Sequence, residues 1–456
     1  MKDVLEYLKD HEARHVEELF ALLRYPSVSA DPERSGDMLA CAEHVRGWLE
    51  QRGFAAKILP TPGHAAVYAE WLGAPGAPTV LSYGHYDVQP ADPLELWKSP
   101  PFEPEVRDGK IFARGACDDK GQFMTHLLAA AAHLDVRGKL PVNLKVILEG
   151  EEEIGSAHTP ALFKEHKDLL AADVAVVSDT GQLAPGEPSI CYGLRGLVYF
   201  QLDMTGPDHD LHSGEYGGTV ENPAHVLASI VARLIDADGH ITIPGFYDVV
   251  RPMEDWEREA TRQLGVGDKM VRMWTGAPGL FGEPDFSPLE RTWFRPSLDC
   301  NGFVSGYTGK GAKTVLPSRA SAKISMRLVP DQDPEAIVRA FTDYVESLAP
   351  PTVQLSVECL SAAPPVLMAA DSPWMAAARE VLTEEFGKAP VLTRMGGSVP
   401  IVTDIGQTLG LDVLMVGWGL PDDRVHSPNE KLDLAQFHAG MRAMARLYQQ
   451  LSAGRS

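Results

Sequence analysis

Cysteine is scarce: five residues in 456, at positions 41, 117, 191, 300 and 359, odd in number and without a CxxC pair. That excludes a disulfide framework or a structural zinc knuckle and predicts free thiols in a reducing compartment. Basic charge is also short, 41 Lys and Arg against 63 Asp and Glu, for a formal net charge of −22. Such a balance argues against a broad face for nucleic acid or for an anionic membrane. No apolar run approaches the roughly 20 residues that a membrane span needs. The Ala-rich stretch 127–134 is too short and contains His133. Residues 1–20 read as an amphipathic helix built on Leu5, Leu8, Val16 and Leu19, without the apolar core of a signal peptide. A phosphate-binding loop, a dinucleotide fingerprint, internal repeats and low-complexity tracts are all missing. The expectation is a soluble, cytoplasmic protein.

What is present is an alternation of helical and buried-strand patterns over residues 1–190, the mark of an α/β layer fold. Helices are expected at 3–24, at 37–52 and from Gln122 to Leu134, with strands near 79–83, 143–148 and 174–178. After Arg195 the pattern changes to half-exposed strands at 197–205, 297–306 and 320–329, and to helices that open at Asn222-Pro223 and span 333–348. Residues 238–295 read as irregular. From Asp371 the α/β pattern returns, with a helix starting at Ser372-Pro373, a strand at 411–417 and a closing helix at 432–451. One core rarely serves so long a chain. The predicted organisation is therefore a catalytic domain at 1–194 and 366–456, with a mostly parallel central sheet flanked by helices. An inserted α+β domain at 195–365 interrupts it.

The buried strands end in ionisable residues. TVLSY leads to His85-Tyr86-Asp87, NLKVIL to Glu151-Glu152-Glu153-Ile154-Gly155-Ser156, and DVAVVS to Asp179, while Asp118-Asp119 precedes a helix and Asp422-Asp423-Arg424-Val425-His426 lies near the C-terminus. Ligands of parallel sheets bind outside the carboxyl ends of the strands. Taken singly, each motif reads as a strand cap, a helix N-cap pair or a solvated charge run. Together and in order they predict a metal site. Strand periodicity also puts His85 and Asp87 on one side, where Asp87 could accept a bond from the second ring nitrogen of His85.

The chain resembles the co-catalytic zinc metallopeptidases that include carnosinase, cytosolic non-specific dipeptidase, aminoacylase, carboxypeptidase G and succinyl-diaminopimelate desuccinylase. The resemblance covers nearly the whole chain and is nearest to the dipeptidase branch. It is carried further by Leu211-His212-Ser213-Gly214, Gly311-Ala312-Lys313-Thr314-Val315, Met326-Arg327-Leu328-Val329-Pro330, Gly396-Gly397-Ser398 and His426-Ser427-Pro428-Asn429-Glu430. It implies a zinc-exopeptidase fold and two divalent metal ions bridged by Asp118, one also held by His85 and Asp179, the other by Glu153 and His426. Zinc is the expected metal, with manganese or cobalt as alternatives. The resemblance also implies a cis Asp118-Asp119 peptide, Glu152 as general base and Asp87 as a further catalytic residue. It assigns His212 to the oxyanion in a partner subunit's active site, so the inserted domain would serve as lid and dimerisation unit of a homodimer. Arg327 would clamp the substrate carboxylate, with Thr314, Gly397 and Ser398 binding its backbone. Glu151 and Cys117 are given no role. His11, His15, His44, His126, His166 and His438 read as ordinary surface residues. The activity implied is hydrolysis of dipeptides or short peptides. An N-acyl-amino-acid amidohydrolase and a catalytically silent metal-binding homologue are the alternatives.

Overall fold

Strands rich in Val, Ile and Leu, buried on both faces, form the centre of the first of two compact units. The computed structural model describes residues 1–397 and 399–453. The first unit comprises Met1–Tyr192, Met368–Thr393 and the chain from Pro400 onward; the second comprises Gly193–Leu367 and Arg394–Val399.

In the first unit the strands lie in the order Ala55–Leu59, Ala66–Trp71, Asn143–Glu149, Thr79–His85, Val174–Val177, Val413–Met415, Ser189–Leu194. The four from Asn143–Glu149 to Val413–Met415 are parallel to one another, and their neighbours on either side are antiparallel. Continuous apolar stretches such as VAVV are fully buried, as a sheet covered on both faces requires. Parallel alignment sends all four carboxyl ends to one edge, and the register Thr79↔Asn143 through His85↔Glu149 brings His85 level with the start of the Glu151–Glu153 run. The helix Lys120–Arg137 is buried from Lys120 to His133 and packs on the Thr79–His85 strand and on the closing helix Leu434–Ala453. Among the described residues, no helix is long and apolar enough to cross a membrane.

Two expectations are corrected here. The helix predicted over 3–24 is two, Lys2–Asp10 and Glu12–Leu23; at the break the His11 ring N–H donates to the Tyr7 carbonyl at 2.8 Å, satisfying a helix-end acceptor. His15 and His126 are buried rather than exposed. Ser178 Oγ spends its proton on the Val416 carbonyl, so His126 Nε2–H donates to Ser178 Oγ while Nδ1 accepts from Ser82 Oγ at 2.7 Å. Burial holds this neutral imidazole down at about 3.

The second unit is built on an antiparallel sheet in the order Ser297–Ser305, Arg319–Leu328, Gly196–Thr205, Gln354–Ala363. Its two central strands alternate buried and partly exposed residues, the pattern of a sheet with one covered face. Val198, Phe200, Leu202, Ile324 and Met326 join Phe341 of the helix Pro334–Leu348 in the core, where Phe200 and Phe341 stack with ring centroids 4.2 Å apart. The stretch 238–295, read as irregular, contains the helices Asp255–Gln263, Asp268–Thr275 and Pro288–Phe294. The first and last are closed by capping boxes, Glu254 with Glu257 and Ser287 with Glu290. Glu257 is also buried against Arg394. Capping and ion pairs mark the first and last of these helices, signals that hydrophobic periodicity does not read.

Candidate metal centre

The carboxyl-end edge of the first unit gathers seven of the predicted residues. His85 is buried at the end of its strand. Its Nδ1–H donates to the Asp87 backbone carbonyl at 3.1 Å and lies 3.4 Å from Asp87 Oδ1. Its Nε2 therefore turns an unprotonated face toward Asp118 Oδ1 at 3.1 Å and Asp179 Oδ2 at 3.9 Å. A lone pair aimed at two carboxylates is repulsive unless a cation or a proton stands between them, and Nε2 is buried without a hydrogen-bond partner. The donor set thus fits a metal ion. Without one, neighbouring Asp118 and Asp87 push the imidazole well above its usual range against the effect of burial.

Asp118 presents its other oxygen elsewhere. Its Oδ2 lies 2.9 Å from His426 Nε2, which is 3.2 Å from Glu153 Oε2. Two candidate groups result, His85–Asp118–Asp179 and Asp118–Glu153–His426, each with one donor atom per residue within 4.8 Å of the others. Asp118 belongs to both. The Asp118-Asp119 peptide is cis. Hydrogen bonds to Asp118 and Glu153 raise His426 to about 10, whereas burial, then Asp118, raises Asp179 to about 7. Burial raises Glu152 to about 8, with Asp179, Asp118 and Glu153 adding to it and His85 opposing. A concentration of acid that binds protons so readily is what a cation would replace.

Asp87 does more than face His85. Its carboxylate accepts the backbone N–H of Glu152 at 3.3 Å and of Glu153 at 3.1 Å, so one buried side chain orients the histidine and pins the acidic turn. Sequence reading missed three neighbours. Gln89 donates to Glu153 Oε2 at 2.8 Å. Asp119, buried and held well above the carboxylate range by its burial, accepts the His85 N–H at 3.1 Å; a Cβ at Gly84 would meet that carboxyl at 2.7 Å, so glycine is required there. Glu151, read as without a role, is buried and accepts from His64 N–H and from the His158 ring, fastening the loop before the second strand. A third acidic group, Asp422–Asp423–Asp433, surrounds the Lys431 ammonium at 2.9, 2.5 and 3.1 Å. A cation already occupies it.

The remaining predicted residues lie in the second unit. His212 is exposed on a short ribbon, paired with Val315, and the Thr314 carbonyl accepts the Ser213 N–H at 3.1 Å. His212 Nδ1 accepts the Gly214 N–H at 3.0 Å, leaving Nε2 as the donor of the neutral ring. Arg327 is half-buried on the Arg319–Leu328 strand, and burial lowers its guanidinium. Gly397 is exposed beside Gly396, whose carbonyl accepts from Arg195 Nε at 2.8 Å. Ser398 lies outside the described residues.

The model of peptidase family M20/M25/M40 matches residues 81–450, the span that carries every predicted site residue. The chain belongs to this peptidase family. Its M20 relatives include the Cys-Gly metallodipeptidase DUG1 of Candida albicans, 32% identical over 97% of this chain and 95% of that protein. Among solved structures, human carnosine dipeptidase 1 aligns with a TM-score of 0.82 and 28% identity over 99% of this chain and 98% of that one. An M20 metallo-carboxypeptidase of Sulfolobus solfataricus, Sso-CP2, aligns with a TM-score of 0.86 and 31% identity over 96% and 99%. The α/β fold with a central parallel sheet is thus the M20 fold.

Proposed function

We propose that this M20 metallopeptidase is a two-metal dipeptidase. The observation that carries the reading is the sharing of Asp118, whose two oxygens face two different histidine–carboxylate sets. His85 and Asp179 would hold one ion, Glu153 and His426 the other, and Asp118 both. Zinc suits this nitrogen and carboxylate set, as do manganese and cobalt. Two bound divalent ions supply Lewis-acid activation of the attacking water and of the scissile carbonyl. Glu152 takes the proton of the attacking water and delivers it to the leaving amine. Asp87 keeps His85 and the Glu152–Glu153 turn in place. His212 donates from Nε2 to the oxyanion of the tetrahedral intermediate, reaching into a partner subunit's site in a homodimer formed through the second unit. Arg327 receives the substrate carboxylate in its planar fork, and Thr314, Gly397 and Ser398 bind the peptide backbone. Five free cysteines accord with a cytoplasmic location.

Dipeptides are the favoured substrate class because relatives spanning nearly the whole chain are named Cys-Gly and Beta-Ala-His dipeptidases. Metal-stripped protein reconstituted with zinc or manganese is expected to hydrolyse free dipeptides such as Cys-Gly and β-Ala-His. Cleavage restricted to N-acetylated amino acids would move the reading to an amidohydrolase. No turnover of either class with two ions bound would refute it.

A further inference from the structure

Asp118 and His426 stand 308 positions apart in the chain, yet their side chains meet at 2.9 Å. A buried carboxylate, Glu430, ties together the two segments that carry them. Glu430 is 0% exposed and accepts four bonds. Its Oε1 takes the backbone N–H of Cys117 at 2.9 Å and of Asp118 at 3.1 Å. Its Oε2 takes the N–H of Gly115 at 3.0 Å and Arg114 Nη1 at 2.6 Å. Two donors on each oxygen use the acceptor capacity of a carboxylate in full. The loop so held is a constrained one: Gly115 has φ +81°, and a Cβ there would meet Val88 Cγ1 at 2.7 Å.

The segment that supplies Glu430 is itself anchored. Asn429 accepts the Lys98 N–H at 2.8 Å and donates to the Leu96 carbonyl at 2.7 Å. Asp423 accepts from Cys117 Sγ at 3.2 Å and is paired with Lys431. Glu430 follows His426 by four residues, so the anchored segment delivers one ligand directly and sets the main chain of the other.

We propose that Glu430 is a positioning residue for the metal centre: it presets the Gly115–Asp118 main chain so that the two oxygens of Asp118 face His85 and His426 before any ion binds. The inference rests on the metal-binding reading given above.

Titration of metal-stripped protein with Zn²⁺ against a chromogenic chelator tests it. The unaltered protein is expected to take up two equivalents. Glu430→Gln offers an amide NH₂ where two N–H donors need an acceptor, and is expected to hold Zn²⁺ about 10–100-fold more weakly while its circular dichroism remains native. Glu430→Asp keeps the charge opposite Arg114 but is one methylene short of the loop, so it too should bind weakly. Unaltered affinity in Glu430→Gln, or affinity restored by Glu430→Asp, overturns the positioning role and leaves the two-metal reading standing. No uptake by the unaltered protein overturns both. If neither variant folds, amide exchange in the metal-free unaltered protein decides. Slow exchange at Cys117 and Asp118 supports presetting, and exchange as fast as in exposed loops overturns it.

Discussion

Replacing Glu152 by Gln should slow peptide hydrolysis and, in the metal-free protein, raise stability. The Glu152 carboxyl stands at about 8 against an ordinary 4.5, chiefly through burial and then through Asp179, Asp118 and Glu153. A raised carboxyl binds its proton more tightly in the folded than in the unfolded chain. Its contribution is therefore fully present below pH about 4.5 and is lost as pH rises through about 8. Full ionisation costs roughly 5 kcal/mol, reduced to a few kcal/mol by solvent screening of a partly exposed group. Gln has the same shape and never ionises. Urea denaturation with chelator present should find Glu152→Gln a few kcal/mol more stable than the unaltered protein at pH 8.5, the gap closing near pH 4.5. With both metals restored, loss of the general base should lower kcat by about 10²–10⁴-fold without changing metal stoichiometry. A variant within tenfold of full activity would refute the assignment of Glu152. A stability difference that does not vary with pH would refute the electrostatic argument.

His426 is 54% exposed, so His426→Ala should fold normally and lose one of two tight zinc equivalents in a chelator titration. His212→Ala should leave zinc stoichiometry unchanged and lower kcat for dipeptides by about 10²–10³-fold, the usual cost of an oxyanion donor. Lys431, 5% exposed among three aspartates, is a structural cation. Lys431→Met should cost roughly 3–5 kcal/mol in a denaturation series by leaving Asp423 unpaired, and added Zn²⁺ should not restore the loss.

The parts of the site that sequence made legible are those whose chemistry is written at strand ends. His85, Glu152, Glu153 and Asp179 each follow a short, largely apolar run, and parallel pairing leaves such runs no choice about which edge their ends share. The role of Asp118 and the His426–Glu430 motif were visible through the resemblance to the family. Glu430 was part of that motif, but no local pattern announces that its carboxylate reaches back to Cys117 and Asp118. Gln89 and Asp119 were silent for the same reason, since a polar residue in a loop looks alike whether it faces solvent or a ligand. His126 misled because helical polar positions are usually exposed, and this helix is buried all round.

Sequence alone determined the alternation of helix and buried strand, though not the strands Ala55–Leu59, Ala66–Trp71, Ser189–Leu194 and Gln354–Ala363, and the residue types offered for chemistry. These follow from local hydrophobic periodicity and from the short list of side chains that bind cations. Tertiary structure decided which acid serves which partner. Asp87 pins the Glu152–Glu153 turn, the oxygens of Asp118 divide between two histidines, and Lys431 rather than a metal fills the third acidic cluster. The partners range from 2 positions apart, for Lys431 and Asp433, to 308, for Asp118 and His426, and only packing sets which of them meet.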